Sequence, residues 1–260
     1  MTRRVAIGLA AVAVLVVVAI ATTRGGSHRT VPLFIFAGQS NMVGAGARFS
    51  LAPPALARPD KRVEYWDDAA RAWTTAIPAG DIPGAFGPDV TALRELASKL
   101  GTKVAAVKVA VNGSSLVTEW DPSKPDGLYV RLQNAVSDAL TVPVGGNRAK
   151  VAGVFWMQGE TDGINTDTSA VYDSNLRGLI DHVRRDLGNN ALPFVLGRVR
   201  LSEQYSFTVR AAQDDIARLL PKVKAVDTDD LTLADGLHYD TTSVQTLGRR
   251  MADAYLSLRS

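Results

Sequence analysis

From Val31 onward, apolar runs alternate with stretches whose apolar residues recur every three or four positions. The runs are Pro32–Ala37, Val104–Val111, Val151–Met157, Phe194–Val199 and Val223–Asp227. Short, Val-rich and nearly unbroken, they predict parallel strands buried on both faces. The stretches between them predict helices. Asp89–Leu100 follows Gly87-Pro88 and stops at Gly101, a C-terminal glycine signal. Tyr172, Leu176, Leu179, Ile180, Val183 and Leu187 share one helical face that ends before Gly188. Val209, Ala212, Ile216 and Leu219 form a second face, and Val244, Leu247, Met251, Ala254, Tyr255 and Leu258 a third. Strands alternating with helices predict an α/β fold around a parallel sheet of about five strands. No repeat or internal linker appears, so residues 31–260 read as one domain.

Two segments depart from this alternation. Ser50–Gly87 holds Pro53, Pro54, Pro59, Pro78 and Pro83, with Pro88 at its edge, plus Trp66 and Trp73. It offers one short candidate strand, Val63–Trp66. A loop this long in a compact domain is usually functional or disordered. The second is the N-terminus, where Arg3 and Arg4 precede the uncharged, apolar Val5–Ala21. Ala19-Ile20-Ala21 is a small-x-small triplet before polar Thr22, so residues 1–21 read as a secretory signal peptide. An uncleaved signal anchor, attaching the protein to a membrane through residues 5–21, is the alternative. Both predict an exported domain. Residues 22–30, with His28, read as a linker.

Composition narrows the chemistry. The chain of 260 residues is 46% hydrophobic and 21% charged, an ordinary globular balance. It has no Cys, which excludes a disulfide scaffold, thiol catalysis and cysteine-held metal. The formal charge of +3 includes Arg3 and Arg4 of the leader, so it gives no argument for a nucleic-acid partner. The three His are His28, His182 and His238.

Ligands of open α/β sheets bind beyond the carboxyl ends of the strands. The first strand is followed by Gly38-Gln39-Ser40-Asn41-Met42, the second by Asn112-Gly113-Ser114-Ser115 and the third by Gln158-Gly159-Glu160-Thr161-Asp162. The last is followed by Asp235-Gly236-Leu237-His238. These polar, glycine-containing turns can meet at one sheet edge and offer acyl transfer. A Ser hydroxyl needs a base to become a nucleophile. His28 lies in the linker and His182 projects off its helix's apolar face toward solvent, which leaves His238. Asp235, three residues earlier, can accept the imidazole N–H and fix its tautomer. Ser40 is the best partner by position. The backbone N–H of Ser40, that of Gly113 and the Gln158 carboxamide are candidate donors to an oxyanion. Met42 replaces the glycine that a G-x-S-x-G elbow requires, which argues against an α/β-hydrolase.

The ordered set GQSNM, NGSS, QGETD and DGLH resembles the SGNH (GDSL-like) hydrolase superfamily over about Val31–Leu258. More narrowly it resembles the sialate O-acetylesterase domain group, which includes the acetylxylan esterases of carbohydrate esterase family six. The resemblance implies a flavodoxin-like three-layer α/β/α fold and a Ser–His–Asp mechanism without metal or other cofactor. Carried over by position, Ser40 is the nucleophile, His238 the base and Asp235 its orienter. Ser40, Gly113 and Gln158 form the oxyanion hole, Gln158 standing where many superfamily members have Asn. Glu160 also matches the subgroup motif; it, Gln39 and Asn41 are supporting candidates, Glu160 holding the loop or orienting His238.

Asp162 and Asp240 read as capping or solvated residues. Core packing is the default for Trp66, Trp73 and Trp120, with sugar stacking as the sharper alternative, and Trp156 reads as core. The expectation is an exported serine esterase that removes acetyl or other small acyl groups from carbohydrate. An esterase or lipase for lipid or aryl esters is one alternative, and a non-catalytic carbohydrate-binding module of this fold another.

Overall fold

The computed structural model describes residues 30–78, 82–200 and 204–259. The expected leader (1–21) lies outside the described residues, as does the linker with His28 except for Thr30, which opens the first strand. Among the described residues no helix is long and apolar enough to cross a membrane.

Seven strands form one sheet. They are β1 (Thr30–Gly38), β2 (Val63–Asp67), β3 (Ala72–Thr74), β4 (Val104–Ala110), β5 (Arg148–Met157), β6 (Phe194–Gly197) and β7 (Val223–Val226). Their order is β3-β2-β4-β1-β5-β6-β7. All neighbours are parallel except β3, which runs antiparallel to β2. The five apolar runs are therefore strands, and the expected count of about five is corrected to seven. The two additions, β2 and β3, form a hairpin at the edge. They come from the Pro-rich segment, which is thus partly ordered structure rather than one long loop. Their exposed positions break the continuous apolar signal that a strand covered on both faces carries.

The helices are α1 (Ser40–Val43), α2 (Pro88–Leu100), α3 (Leu128–Thr141), α4 (Thr166–Ala170), α5 (Tyr172–Asp186), α6 (Ser206–Leu219) and α7 (Thr241–Leu258). They cover both faces of the sheet. Alternation along β1 sends Leu33, Ile35 and Ala37 to one core, where Leu132 of α3, Leu176 of α5 and Val209 of α6 close over them. Phe34 and Phe36 enter the other core with Leu93 of α2 and Leu247 of α7. Phe36 stacks on Phe155 of β5 at 4.6 Å between centroids. This is the expected three-layer α/β/α arrangement. Each apolar side chain buried this way contributes about 1.5–3 kcal/mol.

The sheet brings the ends of β1, β4 and β5 side by side, because β4 and β5 flank β1. Gly38 closes β1 at φ +151°, and a Cβ there would lie 2.0 Å from the Met157 carbonyl oxygen. Only glycine lets the chain turn this closely against β5.

Candidate active site

Ser40 is the first residue of α1, directly beyond β1, and is 4% exposed. At a helix start the backbone N–H has no intrahelical partner. Neither the Ser40 N–H nor that of Gly113 donates a hydrogen bond among the described residues. Gly113 sits in the turn after β4 at φ +70°, a conformation that favours glycine. That turn is anchored to the first strand: Val111 N donates to Gly38 O at 3.2 Å, and Ser114 Oγ does so at 3.4 Å.

Asp235 and His238 lie in the loop between β7 and α7, which is closed by a bridge between Leu233 and Tyr239. Nine residues or so separate β7 from the pair, so the DGLH motif belongs to this closed loop and not to the strand end itself. The Asp235 Oδ2 to His238 Nδ1 distance is 2.7 Å, and the backbone N–H groups of Leu237 and His238 donate to Oδ1 at 3.1 and 2.8 Å. Burial pushes the Asp235 carboxyl up, but the His238 ring and these N–H groups outweigh it and hold the group at about 2. Asp235 is thus ionised at neutral pH and favours the tautomer protonated on Nδ1, with Nε2 unprotonated.

Asn41 ties this loop to the first strand. Its Oδ1 accepts from Tyr239 N at 3.0 Å, and its Nδ2 donates to Leu237 O at 3.3 Å. The residue after Ser40 therefore grips the backbone on both sides of His238. No hydrogen bond joins the Ser40 hydroxyl to the His238 ring. The same Asn41 Nδ2 donates to Glu160 Oε1 at 2.6 Å. Glu160 is 3% exposed, and its other oxygen is buried without a hydrogen-bond partner. Burial raises the Glu160 carboxyl, against the opposing pull of Asn41, its own backbone N–H and nearby His238.

Gln158 is fully buried at the end of β5. Its Nε2 faces Gln39 Oε1 at 3.2 Å, Ser114 O at 3.1 Å and Asp162 Oδ2. Its two hydrogens are therefore already engaged. Gln39 Oε1 also receives Gly159 N at 3.2 Å and Thr161 N at 3.4 Å, so Gln39 stitches the β1 and β5 turns together.

Some expectations are corrected here and others hold. Asp162 is neither a cap nor solvated. It is fully buried and accepts from Ser115 Oγ at 2.6 Å and Leu116 N at 3.0 Å, joining the β4 and β5 turns. Asp240 does cap α7, accepting from Ser243 N at 2.8 Å. Trp120 is fully buried, donates to Ser114 Oγ at 3.0 Å and meets Trp156 edge-on, so it stacks on no sugar. Trp73 donates to Val142 O at 2.9 Å and packs on Trp66. His182 is half-buried rather than fully solvated; its Nδ1 lies 2.7 Å from Gly178 O. Gln213 of α6 carried no motif, yet it is fully buried and bonds Gln158 O, Gly197 O and Val199 N. Only its place among the apolar positions of α6 hinted at burial.

A model of the family described as carbohydrate esterase, sialic acid-specific acetylesterase, matches residues 30–257. A protein of Arabidopsis thaliana described as a probable carbohydrate esterase is 28% identical over 244 residues, covering 86% of this chain and 90% of its own. The crystal structure of that Arabidopsis protein superposes with a TM-score of 0.76 at 26% identity, over 88% of this chain and 99% of the other. A carbohydrate acetylesterase from Xanthomonas citri gives 0.61 at 19% identity, over 87% and 56%. A lipase from a goat rumen metagenome gives 0.55 at 12% identity, over 86% and 97%. The last two likenesses concern the fold alone.

Proposed function

Because the chain belongs to the carbohydrate esterase, sialic acid-specific acetylesterase family, we propose that it removes O-acetyl groups from carbohydrates through Ser40, His238 and Asp235. It is a carboxylic ester hydrolase, and its substrates are acetylated carbohydrates. The observation that carries the residue assignment is the Asn41 clasp, which holds the backbone on either side of the Asp235-paired His238 against the residue next to Ser40.

In this reading Ser40 Oγ is paired with His238 Nε2 during the reaction. Oγ attacks the ester carbonyl as Nε2 takes its proton. The oxyanion is met by the free N–H groups of Ser40 and Gly113. Gln158 joins as a third donor by giving up its bond to Ser114 O. His238 returns the proton to the sugar oxygen as the C–O bond breaks, leaving an acetyl ester on Ser40. His238 then takes a proton from water, the hydroxide adds to the acyl carbon, and the bond from that carbon to Ser40 Oγ breaks as His238 returns the proton to Oγ, releasing acetate. Glu160, Asn41 and Gln39 position this machinery without touching the ester.

The apolar Val5–Ala21 segment behind Arg3 and Arg4 supports export, as a cleaved signal peptide or as an anchor. The experiment is acetate release from acetylated xylan, O-acetylated sialic acid and acetylated peptidoglycan, each with wild type and Ser40→Ala. Wild type is expected to release acetate from at least one and Ser40→Ala from none. Full activity of Ser40→Ala would falsify the nucleophile assignment.

A further inference from the structure

A cleft of about 760 Å³ lies between the β2–β3 hairpin and the start of α2; Ser40 does not line it, but residues near Ser40 do. Val43 and Val111 are among the residues that line it. Val43 is three residues after Ser40 on α1, within about one helical turn, ~5 Å, of the hydroxyl-bearing residue. Val111 bonds the Gly38 carbonyl just before the nucleophile turn and lies two residues before Gly113. A group attached to an acyl carbon on Ser40 therefore has the cleft as its neighbouring space.

The cleft wall is mixed in character. Lys108 of β4 and Asp89 of α2 pair at 2.6 Å, with Asp89 1% exposed and Lys108 16%, so their charges cancel inside the wall. Ile77 and Pro78 supply apolar surface, while Trp66 and Phe86 in the lining are buried. The exposed carboxylates of Asp67 and Asp68 stand at the hairpin, Asp68 also accepting from Trp66 Nε1 at 3.3 Å. Against them, among the described lining residues, stands only the Arg131 guanidinium beyond the neutralised pair. Such a lining gives sugar hydroxyls carboxylate acceptors and gives a pyranose ring an apolar wall. Its excess of negative charge repels a carboxylate-bearing sugar.

We propose that this cleft is the subsite for the sugar that carries the ester, and that Asp67 and Asp68 make it select uncharged sugars over acidic ones. The inference rests on the reading of Ser40 as nucleophile. Asp67 and Asp68 act on the choice of leaving group rather than on bond cleavage.

The test measures kcat/KM on acetylated xylotetraose and on 9-O-acetyl-N-acetylneuraminic acid, with wild type and with the Asp67→Lys/Asp68→Lys variant. Wild type is expected to prefer the neutral ester by at least about tenfold, and the charge reversal to narrow that preference by about tenfold at low salt. The narrowing should shrink in 1 M salt, where screening acts over ~3 Å. A preference for the acidic ester in wild type, or an unchanged ratio in the variant, overturns the subsite. Asp67→Asn/Asp68→Asn, which needs no new charge accommodated, is run alongside and should give a smaller shift of the same sign. Ser40→Ala separates the two levels. If it keeps hydrolysing both esters, the nucleophile reading fails; if it is inactive while the ratio ignores the charge changes, only the subsite fails.

Discussion

Asn41 Nδ2 lies 2.6 Å from Glu160 Oε1, and both side chains are buried. The contact joins the turn after β1 to the turn after β5, and Asn41 extends it to Leu237 and Tyr239 on either side of His238. A buried amide with every group satisfied holds its neighbours in one geometry. Asn41→Ala is therefore expected to lower kcat by about 10–100-fold with a smaller change in KM, since misplacing a catalytic group by about 1 Å costs on this order. Glu160→Ala should behave similarly, and Glu160→Gln, which keeps an acceptor for Asn41, should restore most of the rate. The Asn41→Ala/Glu160→Ala double variant should be little worse than either single one. Strictly multiplicative losses would mean that the two residues act separately.

Glu160 also makes a pH prediction. Its carboxyl is raised in the fold by burial, whereas the unfolded chain titrates near 4.5. Above that pH the folded protein holds a proton that the unfolded chain has lost. Stability is then full below about 4.5 and declines as pH climbs from there toward the raised value. Glu160→Gln removes this titration. The difference in Tm, variant minus wild type, should grow between pH 4 and pH 8. A difference constant across that range counts against a raised Glu160.

Asp235 runs the other way. Its folded value of about 2 lies below the 3.8 of an ordinary Asp, so its contribution is complete above 3.8 and disappears as pH falls toward 2. The side chain is 53% exposed, which limits what it adds to stability through screening by solvent. Asp235→Asn should leave Tm nearly unchanged near neutral pH while lowering kcat on the order of 10³–10⁴-fold, because the tautomer of His238 is no longer set. Near-normal turnover in that variant would remove Asp235 from the mechanism.

Gly38→Ala tests the strand end. The added Cβ would meet the Met157 carbonyl oxygen at 2.0 Å in a backbone conformation of φ +151°. Neither backbone can move without breaking the β1–β5 register. The expected cost is ~3 kcal/mol or more, read as a Tm lowered by roughly 6–12 °C or further. A melting curve matching wild type would show that the strand end is looser than its geometry implies.

Much of the architecture was legible in the chain. Burial on both faces requires continuous apolar residues, so β1, β4, β5, β6 and the edge strand β7 stood out, and α2, α5, α6 and α7 each display a one-sided apolar spacing. Ser40, Gly113 and Gln158 drew notice because polar turns follow those runs, and the Asp235–His238 pair because of its spacing in the loop before α7. The hairpin β2–β3 was only half visible, since its short strands mix exposed polar with buried apolar residues. Helix α3 has a periodic face in Tyr129, Leu132, Ala135, Val136 and Ala139, but it begins at Gly127 with no side-chain cap to mark its start.

The sequence by itself determined which residues are buried in strands and helices, and which polar groups stand at the strand ends, because both are local consequences of spacing and burial. Only the tertiary structure decided their partners. That Asp162 is buried between two turns, that Asn41 grips the backbone around His238, that Gln158 spends its N–H groups on Asp162 and Ser114, and that Lys108 meets Asp89 in a cleft wall all depend on contacts between distant segments. Hydrogen bonds and ion pairs act over about 3 Å, and which segments come that close is set by the strand order rather than by either segment alone.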